Sequence, residues 1–373
     1  MNLENAVNYH YNQFPPQNLE LGKMLDSLLK ATDALARYDQ MLKSLHNSEI
    51  LLAPLRSQEA VISSRMEGTI STMDEILKLK ADSNSETEEK EGGKYRNDVF
   101  ETYLYHIALN NAQQAMKDGY TISDHLIRGI HQQLLSIGRG ANKSPGKYKT
   151  EQNYLADRLK QEILFIPISP EKLNDGLENL FNYLKDSNDS ILIKTALMHL
   201  EFEALHPFQD GNGRIGRMLI TLLLWTSGSI SEPHFYISGY FEEHKDAYID
   251  IMRNVSENGD WETWCDFFFT AVEQQANRNL QVAEKIQTLY EDMKIKFTNI
   301  LLSKYSVLAL DYIFTNPIFR NNKFKSHSGI PQATASRFTR ALYENGLLKV
   351  IEEGAGRKAT LYSFEPMMEL VRV

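Results

Sequence analysis

The sequence predicts a mainly α-helical protein with one short β-hairpin inside its helical part and a second hairpin near its C-terminal end. Three observations lead there. Apolar residues recur at helical spacing along most of the 373-residue chain. One stretch bounded by prolines, "SPGKYKTEQNYLADRLKQEILFIPISP", holds β-favouring runs. In the C-terminal segment, helical patterning gives way to a turn, a helix and two strand-like runs.

Taken in order, "LGKMLDSLLKATDALARYDQML" places Leu21, Met24, Leu28 and Ala31 on one helical stripe. Residues 82–93, "DSNSETEEKEGG", contain no apolar residue and read as a solvated acidic linker. Helical patterning resumes in "RNDVFETYLYHIALNNAQQAM". The first hairpin is expected over about 149–166, followed by helices over about 170–226 and again over about 242–296. The segment "GIPQATASRFTRALYENGLLKVIEEGAGRKATLYSF" opens on a turn and a helix whose apolar face is Ala335, Phe338, Ala341 and Leu342, with Gly346 where a C-terminal cap belongs. Two strand-like runs joined by "GAGRK" follow, and helix, turn, helix and hairpin together form the winged-helix pattern. This divides the chain into 1–93, a helical region ending in the linker; 94–275, a helical core; 276–300, a connecting helix; and 301–373, the winged-helix domain.

Composition narrows the function. With 42% hydrophobic and 24% charged residues the chain is an ordinary globular protein. No apolar run is long enough to cross a bilayer, and the N-terminus lacks the pattern of a signal peptide. A single cysteine, Cys265, excludes an internal disulfide and points to the reducing cytoplasm. The net charge of −9 argues against a nucleic-acid-binding surface spread over the whole protein. From residue 301 onward, ten Lys/Arg stand against six Asp/Glu, so only this segment would favour a phosphate backbone.

The chemistry concentrates in "HPFQDGNGRIGR", residues 206–217. Gly211, Gly213 and Gly216 satisfy the dinucleotide fingerprint G-x-G-x-x-G, but the preceding "KTALMHLEFEALH" has helical rather than strand periodicity. A P-loop fails as well, because Arg217 and Met218 stand where Lys and Ser/Thr belong. A calcium loop opened by Asp210 and Asn212 lacks its remaining oxygen ligands. What remains is a helix, a short loop and a second, strongly apolar helix. A helix start rich in glycine offers unpaired N–H groups and partial positive charge to an anion. Arg214 and Arg217, three apart, add two guanidinium forks suited to a polyphosphate. Asp210 could hold Mg2+, and His206 could take a proton from an incoming hydroxyl. Phe208 reads as an apolar anchor that turns the loop inward. Each residue alone also has a plain structural reading; their clustering at one helix start favours the functional one.

These twelve residues match, at every specified position, the Fic-domain motif His-x-Phe-x-Asp/Glu-Gly-Asn-Gly-Arg-x-x-Arg, and the chain resembles that family over most of its length. The resemblance implies a Fic helical core that transfers the AMP part of ATP to a protein hydroxyl, with Mg2+ as cofactor. It implies His206 as general base and Asp210 as the metal ligand. Gly211, Asn212, Gly213, Arg214, Ile215, Gly216 and Arg217 would form the ATP-binding run. The hairpin is similar to the family's flap, which pairs with the target by strand addition. "ISGYFEEHKDAY" resembles the segment flanking the adenine pocket and adds Tyr240 and Glu243, although Tyr240 also suits a core aromatic. "SSRMEGT" resembles the family's inhibitory helix, with Ser63, Glu67 and Gly68 at the motif positions. Glu67 would pair with Arg217 and so deny that guanidinium to the γ-phosphate; the plain alternative is a surface Glu beside a glycine cap.

Three functions compete at this stage. The first is an autoinhibited protein adenylyltransferase acting on Tyr, Thr or Ser of an unknown protein or of itself. The second is a relative moving another phosphate-containing group. The third is a DNA-binding transcriptional regulator that contacts DNA, or a protein, through Ser336, Arg337, Arg340, Arg357 and Lys358 of the winged helix. No membrane partner is expected, and a homo-oligomer is left open.

Overall fold

A computed structural model describes residues 3, 6–45, 47–83, 95–157, 161–356 and 358–372. Most of the acidic linker, and Arg357, lie outside the described residues. The protein is mainly helical. The helices are α1 (Leu21–Ser44), α2 (Ser48–Met66), α3 (Met73–Asp82), α4 (Asn97–Lys117), α5 (Asp124–Leu134), α6 (Leu173–Asp186), α7 (Ile191–Leu205) and α8 (Asn212–Thr226). They continue with α9 (Ser238–Glu243), α10 (Lys245–Asn258), α11 (Trp261–Leu301), α12 (Ser306–Thr315), α13 (Asn321–His327), α14 (Gln332–Glu344) and α15 (Glu365–Val371). The strands are β1 (Val7–Asn8), β2 (Leu155–Asp157), β3 (Glu162–Ile166), β4 (Ile318–Arg320), β5 (Lys349–Glu352) and β6 (Leu361–Ser363). No helix among the described residues is long and apolar enough to cross a membrane. The chain forms two compact units, each assembled from two stretches: Met1–Asp39 with Ile107–Asn277, and Gln40–His106 with Arg278–Val373.

The first unit is built around α7 and α8, which are buried on every side. Leu197, Met198, Phe202 and Leu205 on α7, and Ile215, Met218, Ile220 and Leu222 on α8, are almost wholly excluded from solvent. A helix apolar all round belongs at the centre of a core. The indole of Trp264 on α11 donates to the Ala196 carbonyl at 2.9 Å, tying α11 to α7. The expected hairpin is β2 antiparallel to β3, and β1 joins it in parallel, pairing Val7 with Phe165. This added strand was not foreseen in the sequence, since two residues carry no period. It is held from below: the Tyr9 hydroxyl and His10 Nε2 reach the two oxygens of buried Glu201 at 2.7 and 2.8 Å, and His10 Nδ1 meets Ser256 at 2.7 Å. The stripe expected on α1 also shifts. Met24 and Ala31 are buried, together with Ala34, Leu35 and Tyr38, but Leu21 at the helix start is 52% exposed.

In the second unit, α2 packs on α12 and α3 on β4, while β4, β6 and β5 form an antiparallel sheet in that order. Two helices end in the same way. After α2, the Gly68 N–H donates to the Arg65 carbonyl and the Thr69 N–H to the Ser64 carbonyl; after α14, Gly346 and Leu347 repeat this on Tyr343 and Leu342. Gly68 (φ +89°) and Gly346 (φ +73°) supply the left-handed residue this cap requires.

A charged knot joins the two stretches of this unit. Arg320, with its side chain 5% exposed, donates to Asp82 at 2.6 Å and to Glu352 at 2.7 Å, and the Tyr95 hydroxyl donates to Asp82 at 2.6 Å. Lys78 and Lys358 also pair with Glu352. Burial raises the Glu352 pKa, but hydrogen bonds from Lys358, Lys78 and Arg320 outweigh it and hold the carboxyl at about 2. Removing one carboxylate leaves a buried cation under-compensated. Asp82→Ala should therefore lower stability by about 3 kcal/mol in urea unfolding, and Arg320→Met, which takes the cation away from an Asp82 side chain only 6% exposed, should cost a similar amount.

Candidate active site

The loop between α7 and α8 turns sharply, and its sequence shows how. His206 closes α7 in the left-handed region (φ 45°, ψ 60°), and Gly211 opens α8 there as well (φ 83°). Glycine occupies this region without strain, whereas histidine does so at some cost. A Cβ on Gly211 would also sit 3.3 Å from Leu134. Between these hinges, Phe208 is fully buried and stacks on the His131 ring at 3.7 Å. The Asn212 side chain closes the turn, accepting from the Phe208 N–H at 2.8 Å and donating to the Phe208 carbonyl at 2.9 Å.

Three residues that sequence reasoning passed over reach the same loop. His131 on α5 meets the Asp210 carbonyl through Nε2 at 3.1 Å, and its Nδ1 lies 2.8 Å from the Gly146 N–H. Since Nδ1 accepts, the proton is on Nε2 and the ring is neutral. Lys149 Nζ donates to the Leu205 carbonyl at 3.0 Å and to Asn153 Oδ1 at 2.9 Å, and its backbone N–H donates to the Pro207 carbonyl at 2.8 Å. Asn153 Nδ2 donates to the His206 and Phe208 carbonyls, both at 3.0 Å. A single histidine on an amphipathic helix, and "KTEQN" before a hairpin, carry no local pattern that points across the fold.

The sequence-predicted residues sort themselves as follows. His206 is half-buried and its Nδ1 lies 3.3 Å from the Glu203 carbonyl oxygen, which can only accept. Nδ1 therefore bears the proton and Nε2 is the basic nitrogen. Asp210 offers a carboxylate 40% exposed, 3.3 Å from Arg214 Nη2. Arg214 is 3% exposed, and its Nε and Nη1 have no acceptor among the described residues. No side chain caps the start of α8 among the described residues, so the backbone N–H groups of Asn212, Gly213 and Arg214 point the same partial charge outward. A buried guanidinium with idle donors at such a helix start is complementary to an oxyanion. Arg217 is buried one turn further along.

Ile215 is fully buried. Gly216 serves helix packing: a Cβ there would lie 2.4 Å from Glu203 Oε1 and 3.2 Å from the His199 ring, both on α7. Tyr240, on α9, is buried with its ring 4.2 Å from His244, and its N–H donates to Gln275 at 3.0 Å; Glu243 ends that helix at the surface. Ser63, Glu67 and Gly68 belong to the other compact unit, with Ser63 buried and Glu67 exposed at the C-cap of α2.

Burial pushes His131 down to about 4, despite the opposing Asp210 carbonyl and charge. Burial, and then the charge of Arg217, push His199 down to about 3. Between pH 6.5 and 4 the unfolded chain binds a proton at His131 that the folded protein does not, so stability falls as pH drops through that window. The full effect is about 3 kcal/mol. Glutamine can make both hydrogen bonds without titrating, so His131→Gln should show a shallower fall in Tm between pH 7 and 4. Gly211→Ala, strained and crowded, should lose about 1–2 kcal/mol in the same measurement.

Comparison with known proteins gives the family of the chain. The Fic/DOC family N-terminal model matches residues 25–114 and the Fic/DOC family model matches residues 120–224, together just over half of the chain. A protein adenylyltransferase, fic-1 of Caenorhabditis briggsae, is 29% identical over 121 residues, 32% of this chain and 22% of that protein. A probable protein adenylyltransferase of Aquifex aeolicus is 26% identical over 197 residues, 51% of this chain and 55% of that protein. The chain thus spans only about a fifth to about half the length of these two relatives. Among solved structures, a Fic family protein from Desulfovibrio desulfuricans superposes with a TM-score of 0.58 at 16% identity, covering 94% of this chain and 98% of that one. Fic-1 of Caenorhabditis elegans superposes at 0.52 with 18% identity, covering 70% of this chain and 72% of that one. With both family models in succession along the chain, and the 206–217 loop inside the second, this protein belongs to the Fic/DOC family.

Proposed function

We propose that this chain is a protein adenylyltransferase, moving AMP from ATP to a Tyr, Thr or Ser hydroxyl of a protein, and that Glu67 restrains it. The observation that carries the reading is Arg214: a guanidinium buried at a helix start, with Nε and Nη1 lacking acceptors among the described residues, beside a histidine whose Nε2 is basic. Nε2 of His206 removes the hydroxyl proton as the oxygen attacks the α-phosphorus. The bond from that phosphorus to the bridging oxygen breaks, AMP stays on the protein as a phosphodiester, and pyrophosphate leaves. The α8 N–H groups and Arg214 stabilise charge on the phosphates, and Arg217 holds the terminal one. The half-exposed Asp210 carboxylate suits Mg2+, a cation that binds through one or two carboxylates plus phosphate oxygens. When bound, Mg2+ would neutralise charge on those oxygens.

Glu67 supplies the restraint in this reading. Its carboxylate sits at the C-terminal end of α2, where the helix dipole disfavours an anion and favours a cationic partner. In this reading Glu67 engages Arg217 and withholds that guanidinium from the γ-phosphate. Target docking by strand addition suits the small sheet. β3 lies between β1 and β2, and β2 begins one residue beyond Asn153's neighbour Tyr154, with Asn153 holding the His206 carbonyl. The C-terminal elements α12 to β6 read as a winged helix, and a protein is the better partner than DNA there, because Lys358 in the turn is committed to Glu352.

Incubation with α-³²P-ATP tests the assignment. His206→Ala should reduce labelling by about 10²–10⁴-fold, and Glu67→Gly should raise it above wild type. Label arriving from γ-³²P-ATP instead would mean phosphate transfer, and equal labelling of all three proteins would sink the reading.

A further inference from the structure

The loop that carries His206 has its backbone carbonyls captured almost one by one. Leu205 O is held by Lys149 Nζ, His206 O by Asn153 Nδ2, Pro207 O by the Lys149 N–H, and Phe208 O by Asn153 and Asn212. Two residues thus account for most of the ties, and both lie in the short run that leads into the flap strand β2.

We propose that Lys149 and Asn153 are positioning residues, a clamp that fixes the backbone of the general-base loop to the root of the flap, so that acceptor strand and base move as one hydrogen-bonded body. The proposal rests on the AMP-transfer reading for its catalytic consequence, but not for the clamp itself.

Three arguments carry it. First, His206 sits at φ 45°, a region costly for a non-glycine residue, and such a conformation persists only where its surroundings over-determine it. The captured carbonyls lie at His206 and on both sides of it. Second, the Asn153 amide has one orientation that works. Its Oδ1 faces the Lys149 ammonium and both Nδ2 protons face carbonyls; the flipped amide would set N–H against a cation and oxygen against oxygens. Third, Lys149 is only 4% exposed and its two side-chain acceptors are neutral. Burial drives its pKa down to about 7. A long flexible side chain normally carries its charge out to water. Holding the amine inside against two uncharged oxygens is an expense that local packing alone does not require, whereas fixing Leu205 and Asn153 does.

The test combines amide hydrogen exchange with kinetics on the full chain. Asn153→Asp keeps shape but cannot donate to either carbonyl; Lys149→Met keeps length but loses the donor; Lys149→Arg restores one. Exchange of peptides covering 206–212 should speed up in Asn153→Asp and Lys149→Met, while peptides of α11 keep wild-type rates. In AMP transfer, alone and with Glu67→Gly, kcat should fall about tenfold to a hundredfold, the scale for misplacing a reacting group by about an ångström. The affinity for ATP should change less than about threefold, because Arg214 and the α8 N–H groups are untouched, and Lys149→Arg should recover most of kcat. Unchanged loop exchange in both variants overturns the clamp. So does a kcat equal to wild type, or a loss of ATP affinity in step with kcat. If Asn153→Asp does not fold, Lys149→Met and Lys149→Arg carry the same readouts. A wild-type chain that transfers no AMP overturns the proposed function, and loop exchange then decides the clamp by itself.

Discussion

Burying Phe208 in a loop sets most of what surrounds it. A phenyl ring carried wholly out of water draws its own backbone with it, and buried peptide groups must find partners. The loop is too short and too bent to satisfy itself by helix or strand pairing. Donors therefore come from elsewhere: Asn212 from the loop's own end, His131 from α5, Lys149 and Asn153 from the approach to the flap. The stacking of His131 on Phe208 joins the apolar and polar halves of this arrangement in one contact. The same requirement that stabilises the loop also aims His206 and Asp210.

The charges of the site follow an opposite logic. Carbonyls here are satisfied, whereas two donors of buried Arg214 and the N–H groups that open α8 are not matched among the described residues. Unmatched buried donors lower the stability of the protein alone, and they are repaid when an anion arrives. His131 and His199, buried nearby, are kept neutral and so add no competing cation at physiological pH. The result is a loop whose carbonyls are paired beside a helix tip whose donors are not, and the proposed nucleotide site rests on that contrast.

Much of this was legible in the chain itself. The residues of 206–217 suggest an anion-binding helix start because the chemistry is local: a hinge glycine, an asparagine able to bridge its own turn, and arginines three apart are all set by near-neighbour geometry. Caps at Gly68 and Gly346, the core helices α7 and α8, and the existence of the hairpin are local in the same sense. The family resemblance sharpened roles, but the anion site could be argued without it. Gly216 shows the limit of motif reading, since its lack of a side chain admits Glu203 and His199 of α7.

The rest was decided only when distant segments met. His131, Lys149 and Asn153 are ordinary residues in sequence and become supports of the loop solely because α5 and the approach to the flap fold against it. β1 has two residues and no period; its pairing with β3 depends on Glu201, some two hundred residues away, receiving Tyr9 and His10. The grouping of 40–106 with the C-terminal third likewise rests on long-range contacts such as Asp82 with Arg320. Local propensity and side-chain chemistry are written residue by residue, so the chain determined its helices, its caps and the character of its reactive loop. Which donor satisfies which buried carbonyl, and which charge meets which, depends on burial and distance, and those exist only in the folded protein.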